Sequence, residues 1–152
     1  MEIVVRDIQE IDYPEVLSLW NNEIGNRNLN AVSMASDYER MSKNDDYKTF
    51  VALLENKVVG FITTVQVLAV GLPVGYLKIN GLVVKEEYQG NGIGTKLLQY
   101  VENMAYEKEI SYILLSSGVK RIKAHAFYER NNYDKDSFCF DKVLKYDKAM
   151  KE

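Results

Sequence analysis

Between residues 82 and 98 the chain passes from a strand pattern, through a glycine-rich turn, into a helix pattern, and few folds accommodate that order. Leu82-Val83-Val84 reads as buried strand and Gln89-Gly90-Asn91-Gly92-Ile93-Gly94-Thr95 as the turn. Leu97, Leu98, Val101, Met104 and Ala105 then form one apolar helix face. Glycines at 90, 92 and 94 permit positive φ and turn successive N–H groups to one side, where no Cβ obstructs a ligand. A helix beginning near Gly94 adds unpaired N–H donors and the positive end of its dipole. The run is expected to cradle a pyrophosphate on backbone amides.

Spacing separates the known phosphate loops. A nucleotide-triphosphate loop needs Gly, four residues, then Gly-Lys-Ser/Thr, whereas here the order is Gly94-Thr95-Lys96. A dinucleotide fingerprint needs Gly-x-Gly-x-x-Gly, and Gly90-Asn91-Gly92-Ile93-Gly94 is one residue too short. A glycine turn without a ligand is the remaining reading of the loop taken alone. The pattern Gln/Arg-x-x-Gly-x-Gly/Ala, filled by Gln89, Gly92 and Gly94, resembles the coenzyme A signature of the GNAT acetyltransferase superfamily.

A second stretch points the same way. Ala124-His125-Ala126-Phe127-Tyr128-Glu129-Arg130-Asn131-Asn132-Tyr133 resembles the family's Ala-x-x-Phe-Tyr-x-x-x-Gly-Phe, with Asn132-Tyr133 in place of Gly-Phe. The C-terminal half, including Ser137-Phe138-Cys139-Phe140-Asp141-Lys142-Val143-Leu144, is also similar to the aminoalkylphosphonate N-acetyltransferases. The resemblance implies one α+β domain over residues 1–152, with a mixed, mostly antiparallel sheet, splayed parallel strands 4 and 5, and helices on both faces.

Element by element, Ile3 to Ile8 reads as a strand and Asp12-Tyr13-Pro14 as a helix start with Asp12 as N-cap. Gly25 to Ser36 reads as a loop, followed by a short helix from about Asp37 to Lys43. Lys48–Leu54, Val58–Val70 and Val74–Val84 read as three antiparallel strands, with Gly81 marking a bulge in the third. Thr95–Lys108 follows as a helix, Ser111–Ser117 as a strand, Ala124–Arg130 as a helix and Ser137–Leu144 as a final strand.

The resemblance also assigns chemistry. It implies acetyl-CoA as cosubstrate, with its pantetheine paired to backbone groups of Leu82, Val83 and Val84 and its pyrophosphate held by Gln89, Gly90, Asn91, Gly92, Ile93, Gly94 and Thr95. Taken alone, Tyr128 reads as a ring packed on the sheet beside Phe127; within the motif it matches the family tyrosine that protonates the leaving thiolate. A phenol with a reference pKa of about 10 carries a proton to give at neutral pH. The backbone N–H of Val83 or Val84 is the candidate oxyanion donor.

The general base is open. Relatives carry a strand-four glutamate where this chain reads Ile79-Asn80-Gly81, leaving Glu23, Asp37, His125 or a water chain as candidates. Arg121 replaces the family's frequent asparagine seven positions before the tyrosine, so Lys120, Arg121 and Lys123 become candidates to meet nucleotide phosphates.

Charge and composition narrow the partners. A net charge of −3 argues against a protein built for the nucleic-acid backbone. One cysteine, Cys139, and one histidine, His125, make a soft-ligand metal site an unsuitable expectation. The apolar run Val58 to Val70 is too short to span a bilayer, and the N-terminus lacks the pattern of a secretion signal, so a cytoplasmic protein without membrane or nucleic-acid partners is expected. The expected reaction is N-acetylation of a small-molecule primary amine by direct attack. A protein or peptide amine as acceptor, and a non-catalytic CoA-binding module, are the alternatives. A homodimer using the aromatic segment Phe138 to Phe140 or an exposed sheet edge is a further possibility.

Overall fold

The computed structural model describes residues 2–25 and 29–145. Two compact units are distinguishable, residues 1–114 and residues 115–152. Five strands, β1 (Ile3–Asp7), β2 (Tyr47–Leu54), β3 (Lys57–Ala69), β4 (Leu72–Val84) and β5 (Ile113–Leu115), lie in the order β1-β2-β3-β4-β5. The first three pairings are antiparallel, and β4 and β5 are parallel.

Period-two alternation sends neighbouring residues of β2 to opposite faces. Val51, Leu53, Phe61 and Val83 pack with Val16 and Leu19 of α1 (Tyr13–Leu19) and with Met34 and Tyr38 of α2 (Ala31–Ser42). Phe50 turns the other way and meets Tyr100 of α3 (Ile93–Glu107), with ring centroids 4.7 Å apart. Leu97, Leu98 and Val101 on the same helix are fully buried. The expected α+β sheet with helices on both faces is therefore present.

Turn chemistry accounts for the hairpins. Glu55 and Asn56 both take positive φ, 50° and 64°, which is the two-residue geometry whose twist suits adjacent antiparallel strands.

Four readings of the sequence need correction. Asp12 makes no side-chain cap to α1. Its carboxylate instead receives the Gln9 N–H at 2.8 Å and both guanidinium nitrogens of Arg6 at 2.7 and 3.0 Å. Helix α2 begins at Ala31 rather than Asp37, because Asn30 Oδ1 accepts the Ser33 N–H at 2.9 Å while Ser33 Oγ accepts the Asn30 N–H at 3.1 Å. That reciprocal cap satisfies two end groups of the helix. Part of the expected loop, residues 26–28, lies outside the described residues. Strand β5 is three residues long instead of seven. Ser137 to Leu144 forms no strand; Phe138 and Phe140 are 88% and 92% exposed, so their alternation buries neither ring.

The Arg6–Asp12 pair ties β1 to the start of α1. Burial alone would raise the Asp12 pKa, but the Arg6 hydrogen bonds, the Gln9 N–H and the Arg6 charge outweigh it and hold the carboxyl below its ordinary value. A depressed native pKa contributes stability that is complete above the unfolded value and lost as pH falls through the native one. Arg6→Ala, which strands a carboxylate only 3% exposed, is expected to cost about 3 kcal/mol in urea unfolding. Asp12→Asn should cost less, because the Arg6 side chain is 30% exposed and can turn to water. The melting-temperature gap between wild type and Asp12→Asn should close as pH falls below about 4.

Candidate active site

Strand β4 changes register in its middle. Thr64 pairs with Ile79 and Thr63 with Gly81, so Asn80 is an extra residue opposite one partner. The consequence reaches the strand's outer edge. Before the bulge the Leu77 N–H points outward and donates to Tyr112 O at 3.0 Å, on the β5 side. After it, the Lys85 N–H donates to Val59 O at 2.9 Å, which makes Gly60–Val84 a pair whose own N–H and C=O groups face away from each other. By the same alternation Leu82 also faces its backbone outward, whereas Val83 bonds into β3.

A single inserted residue thus exchanges which backbone groups the strand presents. Of Leu82, Val83 and Val84, the first and last are oriented toward the outer edge, and of the two candidate oxyanion donors only Val84 has an N–H aimed that way. The Val84 carbonyl is engaged by Gln89 Nε2 at 2.9 Å.

The turn after β4 is braced from inside. Asn91 Nδ2 donates to Tyr88 O at 3.0 Å and to Gln89 O at 3.3 Å. The Gln89 and Asn91 side chains therefore hold the loop's shape, and because the Gln89 N–H donates to Glu86 O at 3.2 Å, the amides left to face a ligand begin at Gly90. Gly90 and Gly92 take φ of 81° and 79°, and a Cβ placed on either would meet nothing within 4 Å. These glycines serve backbone conformation and an open approach, not tight packing.

Gly92 is the N-cap of α3 and no side chain caps it. Lys96 N–H is the first to close an intrahelical bond, to Gly92 O at 3.0 Å. The N–H groups of Ile93, Gly94 and Thr95 precede that closure at the positive end of the helix dipole. The helix starts two residues before the expected Thr95, and Gly94 lies within its first turn without a positive φ. The cradle fits a pyrophosphate by the chemistry of its donors: uncharged, fixed and open.

Tyr128 lies in the second unit, on α4 (Ile122–Arg130). Its ring meets Phe127 and Tyr133 edge-on, with centroids 5.3 and 5.9 Å apart. Burial pushes its pKa up, and the nearby Arg121 charge only partly opposes this. After the helix, Asn132 takes φ of 68°, the left-handed conformation for which asparagine is the best substitute for the glycine of the motif.

His125 Nε2 donates to Gly118 O at 2.8 Å, tying the ring to the loop ahead of α4. That contact gives it a bracing role. Cys139 is exposed. Among the described residues no group of three or more His, Cys, Asp or Glu side chains is placed to hold a metal, and no helix is long and apolar enough to cross a membrane. One buried side-chain atom among them, Ser117 Oγ, lacks a hydrogen-bond partner, an arrangement that costs about 1–3 kcal/mol unless something bonds it. Nothing in the local sequence, Ser116-Ser117 after a leucine pair, distinguishes it from an ordinary loop serine.

A mixed sheet with a bulged fourth strand, followed by an amide-lined turn opening a helix, defines an acyltransferase architecture. The sequence profile of the Acetyltransferase (GNAT) family matches residues 6–133, and the chain belongs to that family. It is 37% identical over 67 residues to the aminoalkylphosphonate N-acetyltransferase of Salmonella typhimurium, covering 44% of each chain. It is 35% identical over 85 residues to an uncharacterized N-acetyltransferase of Methanocaldococcus jannaschii, covering 55% of this chain and 51% of that one. The chain thus spans about half the length of the curated relatives it matches. A GNAT family acetyltransferase from Staphylococcus aureus superimposes with a TM-score of 0.78 at 22% identity, over 95% of this chain and 100% of the other, a likeness of fold.

Proposed function

We propose that this protein transfers an acetyl group from acetyl-CoA to the primary amine of a small molecule by direct attack, as a single catalytic domain acting in the cytoplasm. The observation that carries the reading is the uncapped start of α3 behind the open glycines Gly90 and Gly92, at the end of a strand whose Leu82 and Val84 backbones face outward. Backbone amides of residues 90–95 hold the pyrophosphate, since the Gln89 N–H is bonded to Glu86 O, and the Leu82 backbone pairs with the pantetheine, which leaves the outward Val84 N–H for the acyl oxygen.

The amine nitrogen attacks the thioester carbonyl, a C–N bond forms and the C–S bond breaks. The Val84 N–H steadies the oxygen that gains charge, as preorganised donors do in acyl transfer. Tyr128 gives its phenolic proton to the departing thiolate, and the proton that the amine nitrogen loses as the amide forms returns to the phenolate through solvent; the role is supported by the place of Tyr128 in the Phe-Tyr motif and by burial that keeps the phenol neutral. The relatedness to an aminoalkylphosphonate N-acetyltransferase supports a small amine as acceptor.

Thermal unfolding with and without acetyl-CoA tests the coenzyme half. At 100 times its dissociation constant the coenzyme adds about 2.7 kcal/mol to the native state, and the transition should rise by several degrees. A transition that stays in place at saturating acetyl-CoA sinks the reading. Thiol release across a panel of amines tests the other half.

Gly92→Val should separate the loop's role in binding from its role in folding. Its left-handed φ makes a β-branched residue strained by about 1–3 kcal/mol, while the new side chain stands where the phosphates approach. The KM for acetyl-CoA should rise at least about tenfold, the loss of roughly 1.4 kcal/mol of binding, with the amine KM little changed.

A further inference from the structure

The β4 bulge is a notch in an otherwise closed sheet. Asn80 is exposed although Ile79 beside it is buried and β4 is flanked on both sides by strands. The wall of that notch is Trp20. A Cβ on Gly81 would lie 3.2 Å from Trp20 Cη2, 3.8 Å from Cζ2 and 3.3 Å from Thr63 Cγ2. Since φ at Gly81 is not left-handed, the glycine is there for the indole and not for the backbone.

Several features hold the half-buried indole in this position. Its ring packs on Phe61 with centroids 5.0 Å apart. Trp20 packs against the core cluster that contains Tyr38. Tyr38 is stacked on Tyr13 at 5.2 Å, and Thr49 Oγ1 bonds Thr63 Oγ1 at 2.8 Å across the strands. Trp20 also opens a π turn, Trp20–Ile24, directly after α1, a local widening found often at functional sites.

We propose that Trp20 is the specificity-determining residue of the acceptor site, and that it admits amines unbranched at the carbon bearing the nitrogen. This rests on the acetyltransferase reading. Gly81 adjoins Leu82, whose backbone is assigned to the coenzyme, so an acceptor reaching the acetyl carbon meets the indole at the notch. Because Gly81 has no side chain and Trp20 Cη2 stands 3.2 Å from where one would begin, the indole edge bounds the strand there. A methyl beside the nitrogen is directed against that edge.

Trp20 is the protein's only tryptophan, so its emission reports on this one position. With the protein saturated in CoA, titration with butylamine should change the emission saturably, and tert-butylamine should need at least about tenfold more, in line with what a crowded methyl costs in a shaped pocket. In Trp20→Ala the ratio of kcat/KM for tert-butylamine over butylamine should rise about tenfold or more, with the acetyl-CoA KM within about twofold of wild type.

Emission indifferent to both amines in a protein that acetylates butylamine overturns the proposal. So does an unchanged ratio in Trp20→Ala or, should that variant fail to melt cooperatively, in Trp20→Phe. Those results leave the coenzyme-induced rise in melting temperature intact, which distinguishes them from failure of the acetyltransferase reading itself.

Discussion

Tyr128→Phe is expected to lower kcat by about 10²-fold while leaving the acetyl-CoA KM and the coenzyme-induced rise in melting temperature unchanged. The substitution removes one oxygen and keeps the ring that meets Phe127 and Tyr133, so the folded unit should lose little. Steady-state kinetics across pH adds a second readout. Burial raises the phenol's pKa above its usual value of 10, against the opposing Arg121 charge. The group therefore stays protonated throughout the neutral range, and the kcat profile of the variant between about pH 6 and 9 should be lower than that of wild type but of the same shape. A turnover equal to that of wild type would remove Tyr128 from the chemistry and favour packing as its whole role.

Gly60→Ala is expected to be the most damaging single methyl near the site. Its Cβ would lie 2.7 Å from Val83 O, 3.4 Å from Leu97 Cδ1 and 3.5 Å from Val84 Cα. The first of these is backbone in the β3–β4 ladder and cannot swing aside. Relief requires β4 to move away from β3 or α3 to lift, and overpacking of this kind costs about 1–3 kcal/mol. In a domain of this size that lowers the melting temperature by about 2–4 °C per kcal/mol. Because the strain falls on Val83 and Val84, acetyl-CoA binding should weaken as well, a coupling read by repeating the thermal shift on the variant. Gly118→Ala is the control: its nearest contact would be an Arg121 side-chain carbon at 3.7 Å, and it should be nearly neutral.

Legibility differed by element. The glycine turn and the helix after it were readable because they depend on consecutive residues: glycines for positive φ at 90 and 92, then an apolar period for α3. Asn132 reads in the sequence only as a departure from the motif's glycine, and its φ of 68° supplies the reason that the exchange is tolerated. The start of α2 was missed because its cap pairs Asn30 with Ser33, where the recognised box has Glu or Gln in the third helical position. The segment Ser137 to Leu144 was misread because strand pattern states a capacity to pair. Phe138 and Phe140 alternate correctly, yet the segment takes no strand conformation and both rings are exposed.

The sequence by itself determined the family, the glycine turn that opens α3 and the place of Tyr128 in the second motif, all of which are written in short runs whose physics is local. Only the tertiary structure decided the use of the remaining groups. It sent the Leu82 and Val84 backbones outward and that of Val83 inward, turned Asp12 from a helix cap into the partner of Arg6, and placed Trp20 over Gly81. Each of those outcomes depends on register between strands or on packing between residues far apart in the chain, about 60 positions in the case of Trp20 and Gly81. A one-residue bulge is enough to reverse such an assignment, because side-chain and backbone directions in a strand repeat every two residues.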